Sequence, residues 1–165
     1  MENRVVLITQ ARVGSSRLPA KVLKKIKGKS ILQIQLERVS KCEAINEIIV
    51  AIPYGEQELP IHEICNKLNI NFSIGSENDV LERYYQASLE YKAEIVVRIP
   101  ADNTTPQPEE VDRIIEHHLA LGRPGFSSNL SVIDNSGYPD GIGAEVFDFV
   151  LLKDARSFPL EPAKR

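Results

Sequence analysis

The stretch Gln10-Ala11-Arg12-Val13-Gly14-Ser15-Ser16-Arg17-Leu18-Pro19-Ala20-Lys21 gathers the residue types that a polyphosphate needs. Gly14 allows close backbone approach, and the N–H groups and hydroxyls of Ser15 and Ser16 are donors for phosphate oxygens. Arg12, Arg17 and Lys21 surround them with charge that is in place before any ligand arrives. A guanidinium grips phosphate bidentately, whereas an ammonium serves as a point charge on a leaving group. The spacing is neither the G-x-x-x-x-G-K-[ST] of a P-loop nor the G-x-G-x-x-G of a dinucleotide fold. A basic loop with an incidental glycine is the plainer reading. The full R-x-G-S-S-R-L-P-x-K pattern, directly after an apolar run, favours the phosphate site.

A second group, Arg98-Ile99-Pro100-Ala101-Asp102-Asn103, follows another apolar run. A carboxylate just past a strand end, opposite a phosphate loop, is a place for a hard cation such as Mg²⁺. As a turn former Asp102 could instead bond its own backbone. The basic loop tips the reading towards the metal.

These groups need elements to hold them. Short β-rich apolar runs alternate with amphipathic stretches, which predicts an α/β fold with a largely parallel sheet. Strands are expected at Val5 to Thr9, Glu47 to Ile52, Ile70 to Ile74, Ile95 to Ile99, Phe126 to Asn129 and Ala144 to Phe147. Helices are expected from Ser30 to about Ser40, from Pro60 to about Leu68, and from the neighbourhood of Asn78, with Leu81, Tyr84, Tyr85 and Ser88 inward. Pro108 should open a helix that runs to Leu121 and stops at Gly122, and Asp148 should cap a last one through Ala155. Ser30 with Gln33 has the pattern of a capping box, and Ser76 with Asp79 that of a simple helix cap. In such an open sheet, ligands bind beyond the carboxyl ends of the strands. The loops there are 10–28, 53–59, 75–79 and 100–106, where the unusual polar residues gather.

The 165 residues suit one domain, 1–165, and 42% hydrophobic with 26% charged residues excludes a disordered chain. The net charge of −3 argues against a general nucleic-acid binder. The apolar runs are too short to cross a bilayer, and no signal peptide is evident, so no membrane partner and a cytoplasmic location are expected. Up to Gly28, however, Arg4, Arg12, Arg17, Lys21, Lys24, Lys25 and Lys27 face a single acid, Glu2. That cluster suits a small polyanion; Lys24, Lys25 and Lys27 themselves read as solvated. Cys42 and Cys65, both placed on helices, read as free thiols in a reducing compartment. His62, His117 and His118 fall on helices without a partner pattern and read as surface or satisfied histidines.

Four motifs now combine: I-x-Q-A-R-x-G-S-S-R-L-P-x-K-V-L, G-S-E-x-D-V-L-x-R-Y-Y, V-V-R-I-x-x-D and Y-P-D-G-x-x-x-E-V-F. In this order they resemble the spore coat polysaccharide biosynthesis protein F family. That family is cytidylyltransferase-like and similar to the synthetases of CMP-linked acidic sugars such as 3-deoxy-manno-octulosonate and sialic acid. The resemblance spans Val5 to about Ala155. It implies a three-layer, Rossmann-like nucleotide-diphospho-sugar transferase fold of the GT-A type, CTP as donor, a sugar as acceptor, Mg²⁺ as cofactor and pyrophosphate as leaving group. It also leaves room for a homodimer. The nucleotide pocket it implies comprises Gln10, Ala11, Arg12, Gly14, Ser15, Ser16, Arg17, Lys21, Ser76, Asp79, Arg83, Arg98 and Ala101. Arg17, Lys21 and Asp102 would act on the reacting phosphates, with Asp102 as metal ligand, and Asp140 and Glu145 would face the acceptor sugar.

Three departures stand out. Ala101-Asp102-Asn103-Thr104 replaces the family's Gly-Asp-Cys-Pro, and Gly143 replaces the second aspartate of P-D-G-L-D-V-E. The chain also stops at Arg165 where relatives continue, so it is expected to lack their C-terminal part. A GT-A glycosyltransferase and a nucleotide-binding domain without turnover remain the rival readings. The single carboxylate of Asp102-Asn103-Thr104 speaks against the glycosyltransferase.

Overall fold

The computed structural model describes residues 3–14, 18–130, 139 and 141–157. Strands β1 (Val5–Gln10), β4 (Glu47–Pro53), β5 (Asn71–Gly75) and β6 (Ile95–Arg98) run parallel in the order β5-β4-β1-β6. Strand β8 (Glu145–Asp148) adds antiparallel to β6, and β7 (Phe126–Ser128) closes the sheet beside β8. A small antiparallel hairpin, β2 (Lys25–Ile26) with β3 (Lys29–Ser30), stands apart from the sheet.

The central strands are apolar on both faces because helices cover both. Val5, Leu7 and Val97 of the strands pack with Val111, Ile114 and Ile115 of α4 (Pro108–Ala120). Val50 and Ile52 pack on the same face with Leu32 and Leu36 of α1 (Ile31–Val39) and with Ile61 and Cys65 of α2 (Leu59–Leu68). The alternate residues Val6, Ile8, Ile49 and Val96 turn to the opposite face. There they meet Tyr84 and Ala87 of α3 (Val80–Glu90) and Leu152 of α5 (Phe149–Ser157). The result is the expected three-layer α/β architecture.

The ends of the helices refine the sequence expectations. Ser30 Oγ accepts from the Gln33 amide at 3.1 Å, but the Gln33 side chain donates to Glu37 instead of returning to the cap, so only half of the capping box forms. Two caps follow one another before α3: the Asp79 amide donates to Ser76 Oγ at 3.0 Å, and Asp79 Oδ1 accepts from the Glu82 amide at 2.9 Å. Gly122, at φ 73°, ends the α4 segment as its position suggests. Asp148 instead ends β8 and gives its carboxylate to Arg123, at 2.5 Å. Cys42 lies beyond the end of α1 rather than within a helix, because the chain turns at Ser40. Among the described residues no helix is long and apolar enough to cross a membrane.

Candidate functional site

The chain leaves β1 for β4 on one side and returns to β6 on the other, so a crevice opens between the carboxyl ends of β1 and β6. Buried Gln35 of α1 ties its walls together. Its Oε1 accepts from the Thr9 hydroxyl at 3.1 Å, and its Nε2 donates to the Pro100 carbonyl. One side chain thus fixes the spacing of the two strand ends that carry the polar residues.

The loop after β1 is held from beneath. The Ala11 amide donates to the Ala51 carbonyl at 3.1 Å, and the Val13 amide donates to Glu58 Oε2 at 2.9 Å. Glu58 is only 1% exposed. Burial pushes its carboxyl above the ordinary value; the Val13 amide and the nearby Arg83 charge pull against that. The return of the loop is closed where the Ala20 amide donates to the Val13 carbonyl at 3.0 Å. Ala20 then turns through the left-handed region, at φ 53°, into a 3-10 turn over Lys21–Leu23. That turn aims Lys21 at the crevice, where its Nζ donates to Asp102 Oδ2.

Gln10, Arg12, Lys21, Val22, Arg98, Pro100, Ala101 and Asp102 line a cavity of about 230 Å³. Arg12 makes no ion pair with another described residue. Arg98 pairs with Glu145, its register partner across β6 and β8. Burial disfavours the Arg98 charge, and Glu145 and Tyr84 together more than offset this, so the guanidinium is held above its ordinary value. Behind them the Tyr84 phenol is pushed up to about 12 by burial, an effect Arg98 partly opposes. A smaller cavity of about 70 Å³ adjoins, lined by Gln10, Ala11, Arg12, Val80 and Arg83. Arg83 is 2% exposed and donates from Nη2 to Gln10 Oε1 at 3.1 Å.

Of the residues singled out from the sequence, Gln10, Ala11, Arg12, Lys21, Arg83, Arg98, Ala101 and Asp102 therefore meet around two adjoining cavities. Gly14 stands in the loop above them, with ordinary room for a side chain near Glu77. Ser76 and Asp79 spend their oxygens on the turn and cap before α3. Glu145 is engaged by Arg98. Ser15, Ser16, Arg17 and Asp140 lie outside the described residues. Among the described residues no group of three or more His, Cys, Asp or Glu gathers as a metal site.

Two supporting residues escape a reading of sequence alone. Glu58 sits in an acidic run that looks solvated. Gln35 lies on the buried stripe of α1 beside Leu32, Leu36 and Val39, and a lone polar residue on such a stripe is the available signal. Gly143 also acquires a reason. A Cβ there would fall 2.0 Å from Asn129 Oδ1, which accepts from the Ala144 amide at 2.8 Å while Asn129 Nδ2 donates to the Glu110 carbonyl. The Asn129 carboxamide fills the space that a second acidic side chain would need.

Residues 6–157 match the family described as cytidylyltransferase. The chain is 38% identical over 152 residues to protein MJ1063 of Methanocaldococcus jannaschii, covering 92% of this chain and 60% of that protein. It is 31% identical over 156 residues to the spore coat polysaccharide biosynthesis protein SpsF of Bacillus subtilis, covering 92% and 62%. It thus spans about three fifths of the length of each of these two relatives. Among solved structures, a cytidylyltransferase from Leptospira borgpetersenii superposes with a TM-score of 0.86 at 25% identity, covering 100% of this chain and 68% of that one.

Proposed function

The chain belongs to the cytidylyltransferase family, and from that premise we propose that its crevice binds CTP and passes the cytidylyl group to a hydroxyl of an acidic or phosphorylated sugar. The sugar oxygen attacks the α-phosphorus, the bond to the β-phosphate oxygen breaks, and pyrophosphate leaves. The activated sugar would serve surface polysaccharide or glycan synthesis, the process in the name of the B. subtilis relative.

The observation that carries this reading is the arrangement of Arg12, Lys21, Arg98 and Asp102 around one cavity at the strand ends. Arg12 has its charge uncommitted to any described acid, so a triphosphate would be met by cations already in place, and catalysis would rest on positioning and electrostatics. Lys21 stands where it can offset charge on departing pyrophosphate, and Arg17 shares that role by its place in the motif. Mg²⁺ fits as a partner of the bound phosphates. Asp102 offers a hard oxygen donor at the rim, and one carboxylate with substrate phosphates is an ordinary set for this ion. When bound, it would neutralise charge on the phosphate oxygens.

Calorimetry against CTP, UTP, ATP and GTP, with and without Mg²⁺, tests the proposal, followed by pyrophosphate release with acidic sugars. CTP should bind more tightly with Mg²⁺, and Asp102→Ala should abolish that gain. Binding of no nucleotide under either condition overturns it. CTP binding without pyrophosphate release favours a second reading, a nucleotide-binding domain without turnover, for which Asn129 in the place of a second carboxylate speaks.

A further inference from the structure

Gln10 ends β1 with its carboxamide at the junction of the two cavities, since both the larger and the smaller are lined by Gln10 and Arg12. If the larger takes the triphosphate between Arg12 and Lys21, the smaller, on the Arg83 side, is within reach of the same nucleotide's base. What Gln10 presents there is decided by Arg83. A guanidinium has donors and no acceptor, so the amide oxygen must be the atom that faces it. The contact, at 3.1 Å, therefore fixes the amide orientation on chemical grounds, and the Gln10 NH₂ group is the part left for the crevice.

Arg83 is itself firmly placed. It lies in the second turn of α3, whose first turn is capped by Asp79. Its stem packs against Gly75, where a Cβ would come to 3.3 Å from Arg83 Cγ, so the close approach depends on glycine at the end of β5. A residue 2% exposed and packed in this way does not follow the ligand; it sets the template.

We propose that Arg83 is a positioning residue for base selection: it locks the Gln10 carboxamide with only N–H donors facing the crevice, which selects cytosine over uracil. The inference rests on the cytidylyltransferase reading. Cytosine offers acceptors at O2 and N3, whereas uracil carries a hydrogen on N3. A fixed donor meeting that hydrogen leaves two polar groups unpaired in a sheltered site, and sites built to pair a group reject the analogue that cannot pair. Were the amide free to rotate, its oxygen could accept from uracil, and the distinction would vanish.

The test compares CTP, UTP and inorganic tripolyphosphate as ligands in calorimetric competition, the last reading the phosphate loop alone. The wild-type chain should bind CTP at least about tenfold more tightly than UTP. Gln10→Glu replaces the NH₂ group by an acceptor and should move the CTP-to-UTP ratio towards UTP by about tenfold or more. Arg83→Met should bring the ratio close to one while tripolyphosphate binding persists, and Arg83→Lys, which keeps a donor, should retain most of the preference. A merely structural Arg83 would weaken all three ligands together and leave the ratio intact. Should Arg83→Met fail to fold, Gln10→Glu at the half-buried strand end still decides. Nucleotide binding with no wild-type preference, or with a ratio that Gln10→Glu leaves unchanged, overturns the base-selection proposal alone. Failure of the wild-type chain to bind either nucleotide or tripolyphosphate overturns the cytidylyltransferase reading beneath it.

Discussion

The two ends of the sheet both gather polar side chains, yet they use them in opposite ways. At the amino end of β6, fully buried His118 lies 2.9 Å by Nδ1 from the Ser127 hydroxyl and 3.9 Å by Nε2 from Asp148. Asp148 in turn accepts from Arg123, which also donates to Asn3. Ser, His and Asp together have the residue types of a hydrolytic triad, but their side chains face one another in a closed interior. At the carboxyl end no nucleophile and base stand together, yet Arg12 and the Gln10 NH₂ group line open space and have no described protein partner. Function is marked by bonding capacity that faces open space, not by residue type.

The sharpest way to break this contrast is at the closed end. Asp148→Ala removes the acceptor of Arg123 and the neighbour of His118 from a nearly buried position. It should cost about 3 kcal/mol in urea denaturation, because Arg123 loses its shortest contact and a buried ring loses its acidic neighbour together. CTP affinity should stay within about twofold. A large loss of affinity in a protein that still folds would mean the two ends are coupled.

Arg12→Ala makes the opposite test. It should weaken CTP by roughly 30-fold, about 2 kcal/mol, with the melting temperature almost unmoved. A drop in stability of similar size would show that Arg12 is structural after all.

Acid should also tell the ends apart. Burial, the largest influence, holds the His118 pKa below its ordinary value, although the Asp148 carboxylate pulls the other way and Arg123 and His117 reinforce the shift. In the unfolded chain this histidine takes up its proton near pH 6.5, earlier than in the folded one. Folding stability is therefore complete above that pH and falls as the pH drops towards the folded value, with a slope of at most about 1.4 kcal/mol per pH unit from this group. His118→Asn should flatten that part of the profile in denaturation experiments at pH 5 to 7.5, and an unchanged slope would refute the assignment to His118.

How far the sequence discloses these two ends differs for a physical reason. The strands and helices are written in local periodicity, so Val5 to Thr9, Pro108 with its helix and Gly122 with its stop are all legible. The crevice is legible too, because the rule that ligands sit beyond parallel strand ends turns Gln10, Arg12, Lys21 and Asp102 into neighbours. The supports are not. Glu58 beneath Val13, Gln35 between Thr9 and Pro100, and Asn129 against Gly143 act between residues distant in sequence, and only folding brings them together. The sequence marks His118 as a surface or satisfied histidine but not its partners, since Ser127 and Asp148 belong to the antiparallel strands, where the pattern loosens. Gly143, conspicuous as a departure, gains its explanation only from the Asn129 carboxamide.

The smallest expected effect tests where the charge of the carboxyl end stops. Lys25 and Lys27 belong to the hairpin after the basic loop, and both are exposed. They add to the run of basic residues in sequence, so a purely electrostatic view would credit them with part of the nucleotide affinity. Neither lines the crevice cavities, and at 0.15 M salt exposed charges more than about 8 Å apart are largely screened. The double variant Lys25→Ala and Lys27→Ala should therefore change CTP affinity by less than about twofold, or about 0.4 kcal/mol. Repeating the titration at low salt should uncover only a modest increase in the difference, because screening weakens long-range attraction without creating a contact. A tenfold loss at physiological salt would instead make the hairpin a third wall of the crevice and move the boundary between site and scaffold outward.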